Sequence, residues 1–200
     1  MAIRNIERKW IDEFIEISRR VPKRGLTTGG GGGISMRVPG SEKILIKGWE
    51  VPSEDLREED ICVVDIEGSP LNDVRICLEG PLHLEVLKTR KEIGSVIHAH
   101  PPYSTAFGNI LPQLSESDLA NYSFLRQGVF TPFAEPGSVD LARYVSEPFR
   151  DPGVTFVFMQ DHGVAVVGAD IRSAYHRLDF LEGAAKAFVL TALLKKAFQP

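Results

Sequence analysis

Ser95-Val-Ile-His-Ala-His100, followed at once by Pro101 and Pro102, is the stretch that decides the fold. Val96 and Ile97 are β-branched, and alternation along an extended chain sends His98 and His100 to one face and Ile97 and Ala99 to the other. The spacing predicts a strand that stops at the prolines and carries two imidazoles side by side. Such a pair can converge on one ion, or serve as hydrogen-bonded packing groups.

Working outward toward the C-terminus, Thr155-Phe-Val-Phe-Met159 and Val164-Ala-Val-Val167 read as two strands joined by a tight turn, Gln160-Asp-His-Gly163. That turn places a third imidazole, His162, at a strand end. Asp170 then reads as the cap of a long helix reaching about Phe198. Toward the N-terminus, Pro81 to Arg90 reads as a helix with proline in its first turn, and Glu79 stands at the end of a strand just before it. A carboxylate there can point into a cleft, or simply favour the helix entry through the dipole.

Further out, Ile44-Leu-Ile46 and Ile61-Cys-Val-Val-Asp-Ile66 read as strands, with the acidic Ser53 to Asp60 between them as a capped short helix or turn. Gly29 to Gly33 form a glycine run before the short strand Ile34 to Pro39. The run lacks the Lys-Ser/Thr of a phosphate loop and the following helix of a dinucleotide site. Ile6, Trp10, Phe14 and Ile17 recur at helical spacing, so the chain opens with an amphipathic helix from about Ile3 to Arg20. Strands and helices alternate without a regular βαβ period, which predicts one layered α/β domain over residues 1–200, a sheet with helices on its faces.

Composition narrows the function. With 43% hydrophobic residues in 200, the chain can bury one good core. The net charge of −4, with 23 scattered Lys and Arg, argues against a nucleic-acid partner. No apolar run approaches the roughly 20 residues that span a bilayer, so neither membrane nor signal peptide is expected and the location reads as cytoplasmic. Cys62 and Cys77 sit in apolar stretches and read as buried thiols rather than a disulfide. His83 and His176 fall within helices among apolar neighbours and read as structural.

Three imidazoles from His98, His100 and His162 with an open fourth position are a catalytic metal pattern, and Glu79 beside them suits proton handling. Zinc (Zn2+) suits three imidazoles, while manganese, iron and cobalt accept them too.

Five segments then carry a resemblance: Gly32-Gly-Ile-Ser-Met-Arg37, Glu58-Glu-Asp-Ile-Cys-Val-Val-Asp65, Glu79-Gly-Pro-Leu-His-Leu84, Val96-Ile-His-Ala-His-Pro-Pro-Tyr-Ser-Thr-Ala106 and Gln160-Asp-His-Gly163. In this order the chain resembles the class II aldolase and adducin-head family from its first helix nearly to its C-terminus. The resemblance implies a three-layer α/β/α sandwich with a mainly antiparallel sheet. It implies a homotetramer with active sites between neighbouring subunits. It also assigns His98, His100 and His162 to a metal and Glu79 to proton transfer. The implied activity is a metal-dependent lyase that cleaves a small hydroxy-ketone or sugar-phosphate-like substrate through a metal-stabilised enediolate.

The chain departs from that family where substrate would bind. Gly33 stands where the sugar-phosphate members have asparagine, Lys47-Gly-Trp-Glu50 where they have a Thr-Pro-Thr-Gly turn, and Cys77-Leu78 where they have two serines. Lost hydroxyls and an added Glu50 disfavour a phosphate dianion. Arg37 and Lys47 are candidates to meet a carboxylate and Trp49 to stack on a planar ring, which suits a metal-dependent decarboxylase of a hydroxylated aromatic or keto acid. Tyr122 falls close to where the aldolases supply a tyrosine from a neighbouring subunit. The third expectation is a non-catalytic interaction domain like the adducin head, which would give no reason to keep Glu79 and three histidines together.

Overall fold

A computed structural model describes residues 3–198. Helix α1 spans Arg8–Lys23, β1 Gly33–Arg37, β2 Ile44–Lys47, β3 Ile61–Val64, α2 Gly80–Thr89, β4 Ser95–Ala99 and α3 Pro102–Ile110. Then follow β5 (Val129–Thr131), α4 (Val139–Ser146), β6 (Phe156–Met159), β7 (Gly163–Gly168) and α5 (Ile171–Ala197).

The seven strands form one sheet in the order β3-β2-β1-β4-β7-β6-β5. Every pairing is antiparallel except the parallel edge pair β5–β6. The decisive strand β4 lies at the centre, Gly33 opposite His98 on one side and Ala165 opposite His98 on the other.

Helices cover both faces, because both faces of these strands are apolar. Ile34, Ile97, Phe158 and Val166 bury one face together with residues of α1, α3 and α5. Ile46, Val96, Val157 and Val167 bury the other with residues of α2 and α4. This is the α/β/α arrangement with a mainly antiparallel sheet. No helix among the described residues is long and apolar enough to cross a membrane.

Local signals explain most boundaries. The Asp170 side chain accepts from the Ser173 amide and Ser173 Oγ accepts from the Asp170 amide, a capping box that opens α5. The opening helix begins later than its periodicity predicts, since Ile3–Asn5 form a separate 3-10 turn. The expected strand before Glu79 is only a single bridge, Gly48 to Ile76, because the intervening chain turns repeatedly. Pro102 does more than stop β4: its fixed φ and missing N–H also start α3.

Candidate metal centre

The three histidines reach one place by two close backbone approaches. The register Met159 to Gly163 closes the β6–β7 turn beside the end of β4. A Cβ on Gly163 would lie 2.3 Å from the Ala99 carbonyl oxygen, so only glycine lets the turn come this near. On the opposite side, Gly32 has φ +71°, and a Cβ there would stand 2.6 Å from the His98 carbonyl oxygen. The glycine run therefore wraps the end of β4 and forms a wall of the site.

Ring centroids of His98 lie 4.7 Å from His100 and 4.8 Å from His162, and those of His100 and His162 lie 5.3 Å apart. Their ligand nitrogens all fall within 4.8 Å of one another. The Glu79 carboxylate, at the N-terminus of α2, reaches in with Oε2 2.7 Å from His98 Nε2 and Oε1 3.3 Å from His162 Nε2.

Protonation states sharpen the picture. Burial raises the Glu79 carboxyl, but His98, then His162 and His83, pull it down further, to about 2. Burial, with His98 and His162 adding to it, lowers His100 to about 3, and burial lowers His162 as well. Neutral imidazoles are the form that binds metal.

His98 Nδ1 lies 3.0 Å from the Val164 carbonyl, so in the neutral ring it donates there and leaves a lone pair on Nε2. That lone pair faces both a carboxylate oxygen and, at 3.0 Å, His100 Nε2. Lone pairs crowded against an ionised carboxylate repel unless a positive charge sits among them. Three nitrogen donors, together with the buried Glu79 Oε1 and His162 Nδ1 that lack hydrogen-bond partners, fit a divalent cation.

The centre opens into a cleft of about 580 Å³ walled by Gly30 to Gly32, Lys47, Trp49, Cys77 and Leu78. Two non-glycine residues on its wall have left-handed backbone, Glu50 at φ 54° and Asp161 at φ 52°. Asp161 is held there by Asn109 from α3: Nδ2 donates to Asp161 Oδ1 at 2.9 Å, and the Asp161 amide donates to Asn109 Oδ1 at 2.8 Å. Asp161 precedes His162, so this clamp fixes the turn that aims the third imidazole.

Of the residues expected around a substrate, Lys47 and Trp49 line the cleft. Arg37 does not: at the far end of β1, its guanidinium donates to the Ile93 and Leu87 carbonyls and ties the sheet to α2. Tyr122 packs its ring on Phe188, 4.9 Å between centroids, in the core under α5. Gly33 is not part of the cleft wall: on the same face of the sheet as its partner His98, it packs against the fully buried His83, whose Nδ1 lies 2.9 Å from Ser35 Oγ. His83 packs beneath the site, lowered to about 3 chiefly by burial and then by His98. Burial pushes the Cys77 thiol up to about 12, which leaves it an inert part of the wall. Sequence reasoning missed Asn109 and Asp161; only the adjacency of Asp161 to His162 hinted at either.

The family described as Class II Aldolase and Adducin N-terminal domain matches residues 12–189. The chain belongs to this family. An L-fuculose phosphate aldolase of Methanocaldococcus jannaschii is 29% identical over 184 residues, covering 92% of this chain and 98% of the relative. A 3-oxo-tetronate 4-phosphate decarboxylase of Haemophilus influenzae is 29% identical over 180 residues, covering 88% and 84%. Among solved structures, an L-fuculose 1-phosphate aldolase superposes with a TM-score of 0.81 over 97% of this chain and 90% of its own, at 23% identity. The class II aldolase fold is thus shared across the sheet and its helices. The aldolases of the family are lyases, and the two relatives are named for carbon–carbon cleavage and for decarboxylation respectively.

Proposed function

We propose that the protein is a divalent-metal-dependent aldolase that cleaves a carbon–carbon bond in a small hydroxy-ketone. The convergence of His98, His100 and His162 beside the ionised Glu79 carboxylate carries this reading. A divalent ion, with zinc the best match to three imidazoles, supplies Lewis acidity toward the oxygens of a bound hydroxy-ketone.

The chain's own groups do the rest. The Val164 carbonyl fixes the His98 tautomer, and the Asn109–Asp161 clamp aims His162. Glu79 lines the cleft beside the histidines, its Oε1 3.3 Å from His162 Nε2, so its carboxylate stands where it can take a proton from a substrate and return it to carbon. The buried Cys62 and Cys77 are free thiols, in keeping with the cytoplasm as the working compartment. Exposed Leu190, Leu193 and Leu194 near the end of α5 support assembly of copies, for which we take the tetramer.

The test is a screen of phosphorylated and unphosphorylated hydroxy-ketones for aldehyde release by metal-loaded wild type and Glu79→Gln. Release by wild type that falls at least about a hundredfold in Glu79→Gln, with metal content unchanged, supports the reading. Equal rates in both remove Glu79 from the chemistry. A second reading, a metal-dependent decarboxylase, is favoured by the Haemophilus influenzae relative and by Lys47 in the cleft. It predicts carbon dioxide release from keto acids with the same dependence on Glu79.

A further inference from the structure

We infer that Lys47 forms an anion subsite beside the metal centre that takes a carboxylate, making the substrate a hydroxy-keto acid rather than a sugar phosphate. This deepens the metal-lyase reading and rests on it for the position of the reacting carbons.

Lys47 ends β2 with only 1% of its surface exposed, yet it is part of the cleft wall. Its Nζ donates to the Gly30 carbonyl at 2.8 Å and approaches the Gly31 carbonyl at 3.5 Å. It forms no ion pair with a carboxylate among the described residues. Burial disfavours the Lys47 ammonium, and the carbonyl dipoles together with Glu79, which acts on it without direct contact, offset only part of that cost. A bound anion completes the site.

The subsite is close to the metal centre. Gly31, whose carbonyl approaches Nζ, lies against His100: a Cβ there would be 2.9 Å from His100 Nδ1. One small molecule can therefore place an anionic end at Lys47 and a ketone at the histidines, within a cleft of about 580 Å³.

The wall selects the kind of anion. A phosphate dianion needs several donors for its terminal oxygens, commonly hydroxyls and backbone amides. Here the neighbouring side chains are Trp49, Cys77, Leu78 and the acidic Glu50. Three nearby amides are committed as well: Gly48 N donates to Asp60 O, Trp49 N to Arg75 O and Cys77 N to Lys47 O. Arg75 covers one face of the Trp49 indole at 3.6 Å, which stiffens an apolar wall. A single ammonium in such surroundings matches one planar carboxylate group rather than a tetrahedral phosphate.

Calorimetric titration of malonate and of inorganic phosphate into wild type, Lys47→Met and Lys47→Gln, each metal-loaded and metal-free, tests this. Melting curves of the two variants confirm that they are folded, and the polar and apolar replacements guard against a defect peculiar to one. Malonate affinity is expected to fall at least about tenfold in both variants, the loss of one charge-assisted hydrogen bond. Phosphate should bind wild type more weakly than malonate, and Leu78→Ser, which returns a hydroxyl, should narrow that gap. Malonate binding indifferent to Lys47 overturns the subsite, and phosphate binding tighter than malonate overturns the carboxylate class. Wild type that holds no metal but keeps Lys47-dependent malonate binding sinks the lyase reading and leaves the subsite standing.

Discussion

Replacing Gly33 by asparagine, the residue that the sequence resemblance leads one to expect there, puts a side chain where the structure leaves no room. A Cβ at position 33 would lie 2.4 Å from His83 Nε2 and 3.2 Å from its Cε1. His83 is fully buried and its Nδ1 is engaged by Ser35 Oγ at 2.9 Å, so the ring cannot swing aside cheaply. Overpacking of this kind costs about 1–3 kcal/mol, and losing the Ser35 bond adds about 1 kcal/mol. Gly33→Asn should therefore destabilise the protein by roughly 2–4 kcal/mol in urea unfolding at unchanged slope. In a His83→Ala background the same substitution should cost at least about 1.5 kcal/mol less, because the obstruction is gone. An equal cost in both backgrounds, or none in either, refutes the claim that Gly33 and His83 fill one space.

Two further outcomes follow from the same geometry. Asn109→Ala removes both bonds that hold Asp161 in its left-handed conformation, and should weaken metal binding about tenfold by competitive chelator titration while leaving the far-ultraviolet spectrum unchanged; unaltered affinity would show that His162 needs no clamp. Burial holds His83 and His100 at about 3 against an ordinary 6.5, so the unfolded chain takes up protons that the fold refuses. Stability of the metal-free protein is then fully present above 6.5 and lost as pH falls toward 3, and Glu79, held at about 2 against 4.5, adds loss in the same sense below 4.5. Each histidine contributes a slope approaching about 1.4 kcal/mol per pH unit, measurable as a falling urea midpoint between about pH 7.5 and about pH 5.5; a flat profile contradicts their burial as neutral rings.

The central strand was readable because the β-branched Val96 and Ile97 mark β4 and the prolines end it, and the α5 cap was readable because Asp170 and Ser173 are only three residues apart. The facing of His98 and His100 follows from period two alone. What was illegible depends on contacts distant along the chain. Arg37 lies on the strand that follows the glycine wall, but four residues of extended chain carry it about 13 Å from Gly33, to the carbonyls of Ile93 and Leu87 rather than the cleft. Tyr122 has an aromatic neighbour, Phe188, that only the fold of α5 supplies. The three residues of β5 have no alternation to read, and they pair because β6 lies beside them. Helix α4 did carry a local signal, Ser138 accepting from the Leu141 amide, at a site where turn residues outweigh it. The Asn109–Asp161 clamp joins residues 52 apart, which no local pattern reveals.

The proposed chemistry depends on His98, His100 and His162 holding a divalent ion beside Glu79. Protein purified without added metal, then examined by mass spectrometry for metal content before and after reconstitution, tests it most directly. Wild type should carry close to one zinc or manganese per chain, and His98→Ala and His162→Ala should each abolish it while remaining folded. Wild type that takes up no metal even on reconstitution, or variants that bind it as wild type does, would show that these histidines are not metal ligands.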